Sequence, residues 1–152
     1  MQQAGRQPDA AGAAPQAWRE VLMGLRVLAV DDEADFIETL VKRFTYRKIP
    51  VTAAANGPEA LARLEQEPFD VVILDMRMPG MDGLAVLKEI KKRHPLVEVI
   101  ILTGHASVES GMQGMSLGAY DYVLKPVDFG ELLEKANKAY ERKKLHESRP
   151  DA

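Results

Sequence analysis

Asp75 closes a run of apolar residues, Val71, Val72, Ile73 and Leu74, and Pro79, Gly80 and Gly83 follow within a few positions. A short, continuous, β-branched run of this kind marks a strand buried on both faces, and proline and glycine cannot continue it. The carboxylate therefore stands where a strand ends and a loop opens. The arrangement recurs along the chain: Val27 to Val30 stops at Asp31 and Asp32, Val99 to Leu102 runs into Thr103, and Tyr120 to Leu124 ends at Lys125. If these ends share one edge, three carboxylates, a hydroxyl and an ammonium meet there. Two carboxylates about 4 Å apart repel by roughly 4 kcal/mol at an effective dielectric near 20, so the cluster calls for a cation. Hard oxygen donors suit Mg²⁺, and nothing nearby offers the His or Cys that zinc prefers. Lys125 can pair with a carboxylate and also hold the oxygen of an incoming phosphoryl group. One chemistry uses all of these groups. The aspartate attacks a phosphoryl group in line to give an acyl phosphate, Mg²⁺ and Lys125 balance the charge on the equatorial oxygens, and Thr103 donates a hydrogen bond to one of them. Asp75 is then the nucleophile.

For those groups to meet, their strands must lie parallel and side by side, and the intervening segments have the patterns that achieve this. Phe36, Ile37, Leu40, Val41 and Phe44 recur at helical spacing after the first strand. Val51 to Ala54 is a weaker strand, after which Asn56 and Glu59 form a capping-box pattern with Pro58 in the first turn and Ala60, Leu61 and Leu64 on the inner face. Asp82 can cap a helix carrying Leu84, Leu87 and Ile90, with Pro95 beyond its end. The next helix, about Ser107 to Leu117, contains Gly111 and Gly114, each worth roughly 1 kcal/mol less than Ala, and is expected to be the least rigid. Asp128 with Glu131 opens the last helix, whose Leu132, Leu133, Ala136 and Tyr140 face inward. Five strands alternating with five helices predict an α/β fold, a doubly wound parallel sheet with helices on both faces and its ligands at the carboxyl edge.

A chain of 152 residues, 46% apolar and 28% charged, supports one domain with a real core. The reading divides it into a mobile N-terminal tail over 1–22, the domain over 23–146 and a C-terminal tail over 147–152. Trp18 is the one bulky residue of the first tail and is expected at the domain edge. A net charge of −3 gives no basic footprint, so direct nucleic-acid binding is not expected. The absence of cysteine excludes a disulfide scaffold and fits a reducing cytoplasm, and no apolar run approaches the roughly 18 residues of a membrane span. Cytoplasmic localisation, with no membrane partner, is the expectation. Single residues also have plain structural roles open to them. Asp82 reads as a helix cap, Met76, Met78 and Met81 as loop packing, and Glu141 to Lys144 as the exposed end of a helix. His94, His105 and His146 lack metal-ligand spacing.

Four segments, in order and each at a predicted strand end, carry a resemblance: AVDDE at Ala29 to Glu33, LDMRMPGMDG at Leu74 to Gly83, LTGHA at Leu102 to Ala106, and GAYDYVLKP at Gly118 to Pro126. From about Leu25 to His146 the sequence resembles a bacterial two-component response-regulator receiver domain. The resemblance implies a flavodoxin-like strand order 2-1-3-4-5 and a phosphoacceptor role for Asp75, served by a sensor His kinase with Mg²⁺. It implies Asp31 and Asp32 as metal-site acids, the backbone carbonyl of Arg77 as a further ligand, Thr103 and Lys125 as phosphate contacts, and Thr103 with Tyr122 as the switch pair. A cis Lys125–Pro126 peptide and a place for His105 over the phosphoryl site follow from it too. Output is expected through the face of helix 4, strand 5 and helix 5, to a downstream protein or a second copy of the chain. Because no output domain follows the last helix in this sequence, a stand-alone module is expected, not an enzyme beyond its own phosphorylation and dephosphorylation. Two other roles remain open, a phosphorelay intermediate handing phosphate to a histidine phosphotransfer protein and a phosphate-independent interaction domain. An aspartate-nucleophile phosphatase is disfavoured, since such enzymes need a second acid two residues after the nucleophile and Arg77 stands there.

Overall fold

The apolar runs become five parallel strands, β1 (Val27–Val30), β2 (Val51–Ala54), β3 (Val71–Asp75), β4 (Glu98–Thr103) and β5 (Asp121–Leu124), in the order β2-β1-β3-β4-β5. This is a computed structural model that describes residues 24–78, 82–104 and 108–148. Trp18, Met81, His105, Ser107 and the tails at 1–23 and 149–152 lie outside the described residues. Between the strands run α1 (Ala34–Tyr46), α2 (Gly57–Gln66), α3 (Gly83–Arg93), α4 (Val108–Ser116) and α5 (Phe129–Glu147). The expected strand order and the doubly wound architecture are both present.

Period-two alternation explains why the strand sequences read as unbroken apolar runs. Val27 and Ala29 of β1 join Ile73, Ile100, Leu40, Phe44 and Leu132 in the core beneath α1 and α5. Leu28 and Val30 join Val72, Leu74, Ile101, Leu64, Leu87 and Ile90 in the core on the opposite face. Both faces of each central strand are covered, so polar residues have no place until the strand ends. Side-chain caps start three of the helices, as their sequences predict. Asn56 Oδ1 accepts the Glu59 N–H at 2.8 Å while Glu59 accepts the Ala55 N–H at 2.9 Å, and Asp82 and Asp128 accept from Leu84 and Glu131. Strand β5 begins one residue later than the pattern suggests, although the Tyr120 N–H still donates to the Val99 carbonyl at 2.7 Å.

The glycines of α4 have a different meaning from the one that helix propensity assigns. A Cβ at Gly114 would overlap Cδ1 of the buried Ile101, and one at Gly111 would come within 3.0 Å of the Tyr122 ring. Both are places where the helix backbone lies close to a side chain of the sheet, and a residue without a side chain allows that approach with no shift of the neighbour.

The last helix also departs from expectation. Glu141, Arg142 and Lys144 are exposed as expected, but two cations of the stretch are engaged: Arg142 Nε and Nη2 donate to the two oxygens of Glu98 at 2.6 and 2.7 Å, and Glu98 is only 2% exposed. Lys143, itself buried, pairs with Asp70 at 3.1 Å and with Glu147, so the helix runs through Glu147 into what the sequence reading treats as tail. The physical reason is the amino edge of the sheet, where the buried acids Asp70 and Glu98 are met by cations of this helix, with Arg26 Nε a further 3.9 Å contact to Asp70. Arg142→Ala should therefore lower the unfolding free energy by about 2 kcal/mol in urea denaturation, and adding Glu98→Met should recover most of the loss by removing the unpaired charge.

Candidate functional site

Strand register builds the site. Val30 of β1 lies opposite Leu74 of β3, so the next residues, Asp31 and Asp75, emerge side by side at the carboxyl edge, 2% and 3% exposed. Asp32, one step further out, is exposed, and one oxygen from each of the three acids falls within 4.8 Å of the others. Thr103 ends β4, fully buried, and its carbonyl accepts the Lys125 N–H at 2.7 Å. Lys125 follows β5 and is joined to Pro126 by a cis peptide. Its Nζ lies 3.1 Å from Asp31 Oδ2, 3.3 Å from Glu33 Oε1 and 3.5 Å from Asp75 Oδ1. The sheet thus brings Asp31, Asp32, Asp75, Thr103 and Lys125 to one edge.

Backbone groups orient the two buried acids. The Glu33 N–H donates to Asp31 Oδ1 at 2.9 Å, and the Arg77 N–H donates to Asp75 Oδ1 at 3.3 Å. Burial, and then the charge of Asp31, push the Asp75 pKa up to about 6; Lys125 and the Arg77 N–H offset only part of that. Burial alone would pull the Lys125 ammonium down, but Asp75 and Asp31 outweigh it and hold the group above its ordinary value. A cleft of about 410 Å³ opens over these residues, lined by Asp32, Glu33, Asp75, Arg77, Gly104 and Lys125. The Arg77 side chain reaches across to Gly104, where an added Cβ would lie 3.5 Å from its Nη1. The donor set is three carboxylates, two buried and one exposed, close enough to repel, so the residues fit a hard divalent cation and not a thiophilic one.

Two residues at the site escaped the sequence reading as individuals. Glu33 was visible only as the last letter of AVDDE, and Phe36 only as an inward position of α1, yet Lys125 Nζ sits 3.3 Å from Glu33 and 4.8 Å from the Phe36 ring centroid. An acid immediately following the Asp pair was the available signal. Tyr122, the other residue of the expected switch pair, is half-buried, with its ring against Gly111 of α4. Met76 packs against the core and Met78 is buried within it, remote in chemistry from any metal role.

The full length of this edge matches one family: residues 27–137 fit the model of the response regulator receiver domain. The chain belongs to that family. It is 41% identical to the DNA-binding transcriptional regulator NtrC of Salmonella typhimurium over 118 residues, 76% of this chain and 25% of that protein. It is 39% identical to the transcriptional regulatory protein ZraR of the same organism over 74% of this chain and 26% of the relative. The receiver thus spans about a quarter of the length of these curated relatives. Among solved structures it resembles a receiver domain protein of Clostridium thermocellum, at 36% identity and a TM-score of 0.76, covering 80% of this chain and 98% of that one. The receiver domain of NtrX from Brucella abortus is similar at 33% identity and a TM-score of 0.73, over 76% and 98% of the two chains. The protein is thus the receiver of a two-component response regulator, with an acidic cluster able to hold a metal ion.

The raised pKa of Asp75 makes a stability prediction with a definite sign. Since the folded value of about 6 lies above the ordinary aspartate value of 3.8, the fold prefers the protonated acid; ionised Asp75 opposes folding above pH 6, and this opposition fades as pH falls toward 4. In chelator at pH 7.5, Asp75→Asn should therefore be more stable than the native receiver by roughly 2 kcal/mol, with the advantage shrinking between pH 6 and 4. Thermal melts across that range check it, and an advantage independent of pH would count against the electrostatic origin.

Proposed function

We propose that this receiver accepts a phosphoryl group on Asp75 from the phosphohistidine of a sensor kinase and passes the change on by protein contact. The observation that carries the reading is the seat of Asp75, a carboxylate 3% exposed with an ammonium 3.5 Å away and two further acids within 4.8 Å. One Asp75 oxygen attacks phosphorus, the P–N bond to the kinase histidine breaks with its electron pair returning to the imidazole, and an acyl phosphate results. With a pKa of about 6, Asp75 is mostly anionic at neutral pH and able to attack. Lys125 meets one oxygen of the transferred group and Thr103 donates a hydrogen bond to another. Asp31, Asp32, Asp75 and the backbone carbonyl of Arg77 would hold Mg²⁺, which when bound supplies positive charge against the phosphoryl oxygens.

The chemistry is confined to the receiver's own phosphorylation and dephosphorylation, in the cytoplasm. Output belongs to the face of α4, β5 and α5, where Met112 is 63% exposed and Met115 is 40% exposed on α4, offering apolar contact to a downstream protein or a second copy. Because α4 rests directly on the Tyr122 ring at Gly111, a shift of the helix and a change of ring position cannot occur independently. Direct nucleic-acid contact is not part of the reading for this acidic domain; DNA binding is a property named for its longer NtrC relatives.

Acetyl phosphate with Mg²⁺ should add one phosphoryl group to the intact mass; chelator or Asp75→Asn should abolish the gain, and labelling that persists in either would move the acceptor elsewhere. Beryllofluoride with Mg²⁺, standing in for the phosphoryl group, should change amide exchange across residues 103–124. A bound but unaltered exchange pattern would remove the switch while leaving the chemistry intact.

A further inference from the structure

We infer that Glu33 is a positioning residue that holds the Lys125 ammonium back from the phosphoryl position and so sets how readily the phosphorylated state forms; this rests on the proposed role of Asp75. Glu33 occupies the N-cap of α1, a position that favours Ser, Thr, Asp or Asn, and its side chain makes no capping hydrogen bond. The N-caps of α2, α3 and α5 are Asn56, Asp82 and Asp128, and all three do cap. The Glu33 carboxylate instead accepts from Lys125 Nζ at 3.3 Å, a residue 92 positions away.

The surroundings of the ammonium show what this contact does. Asp31 at 3.1 Å and Glu33 at 3.3 Å hydrogen-bond to it, Asp75 at 3.5 Å is the longest of the three ion pairs, and the Phe36 ring of α1 lies 4.8 Å away. Two of the anions and the ring belong to the β1–α1 segment, so they draw the lysine toward that segment and away from the nucleophile. A phosphoryl group on Asp75 replaces the single carboxylate charge by roughly two on the phosphate, a net gain of about one negative charge, and adds three acceptor oxygens, and to meet them the lysine must give up a partner. Asp31 is a metal-site acid whose oxygens are shared with the cation. Glu33 lies outside the acidic cluster, its carboxylate bonds to Lys125, and it is the competitor that is displaced. Its side chain is 66% exposed, which makes the restraint weak enough to reverse.

Glu33→Gln tests this, because it preserves shape and the backbone N–H to Asp31 while removing the charge. Beryllofluoride affinity in excess Mg²⁺, read by fluorine NMR, should rise roughly threefold in Glu33→Gln, the scale of an exposed ion pair, and should not change when Lys125→Gln is already present. An equal gain in both backgrounds would show only a general field on an incoming anion and overturn the proposal, as would no gain. Independently of any phosphoryl analogue, Lys125 should be acetylated by acetic anhydride roughly threefold faster in Glu33→Gln than in the native protein, relative to the exposed Lys42, by peptide mass spectrometry. Native protein that takes no beryllofluoride would overturn the phosphoacceptor reading. The acetylation arm then decides the hold on Lys125 by itself, and an unchanged rate overturns it.

Discussion

Strand register forces Asp31 and Asp75 to share one buried edge, and their repulsion governs what surrounds them. Neither acid can step back, because the preceding residues Val30 and Leu74 are locked opposite each other in the centre of a sheet packed on both faces. Burial raises the energy of the charged forms, and the Asp75 pKa of about 6 records that tension. Among the described residues a single ammonium, Lys125, reaches both acids and Glu33, and it arrives from β5, two strands from β3 and three from β1, because β4 and β5 extend the same parallel order. The site is therefore a charge excess held by the fold, with a donor set able to hold a cation.

The two edges of the sheet solve the problem of buried acid in opposite ways. At the amino edge Asp70 and Glu98 are buried, but Arg142 and Lys143 close on them, and the Arg26 N–H donates to Asp70 at 2.8 Å. Satisfied charges of this kind fix the position of α5 on the sheet. At the carboxyl edge the acids outnumber the cations, and loops that include Gly104 leave a cleft above them. Stability is concentrated at one edge and reactivity at the other, while α5 is anchored in the first and begins beside the second.

Between the edges, α4 lies close against the sheet at two glycines. Its glycines let backbone rest on Ile101 and on the Tyr122 ring, so the helix has no cushion of side chains to absorb a displacement at the end of β4 or β5. Propensity alone makes such a helix look merely weak. Packing makes it a helix held close to Ile101 and to the Tyr122 ring.

Alternation of strands and helices, the parallel order and the identity of Asp31, Asp32, Asp75, Thr103 and Lys125 as a set were legible in the sequence. Apolar runs must be buried, proline and glycine must end them, and polar residues at their ends must then gather on one rim. The helix caps Asn56, Asp82 and Asp128 were legible for the same reason, since a cap acts within three residues of itself. Tertiary structure alone decided the contacts between residues far apart in the chain. The Glu33 side chain leaves its helix for Lys125, Phe36 turns its ring to the same ammonium, Arg142 and Lys143 go inward to Glu98 and Asp70, and Gly111 and Gly114 serve approach rather than flexibility. Local pattern records which residues seek burial or a cap, whereas the partner of a charge is set by which strand ends the sheet places within about 4 Å, a distance with no counterpart along the chain.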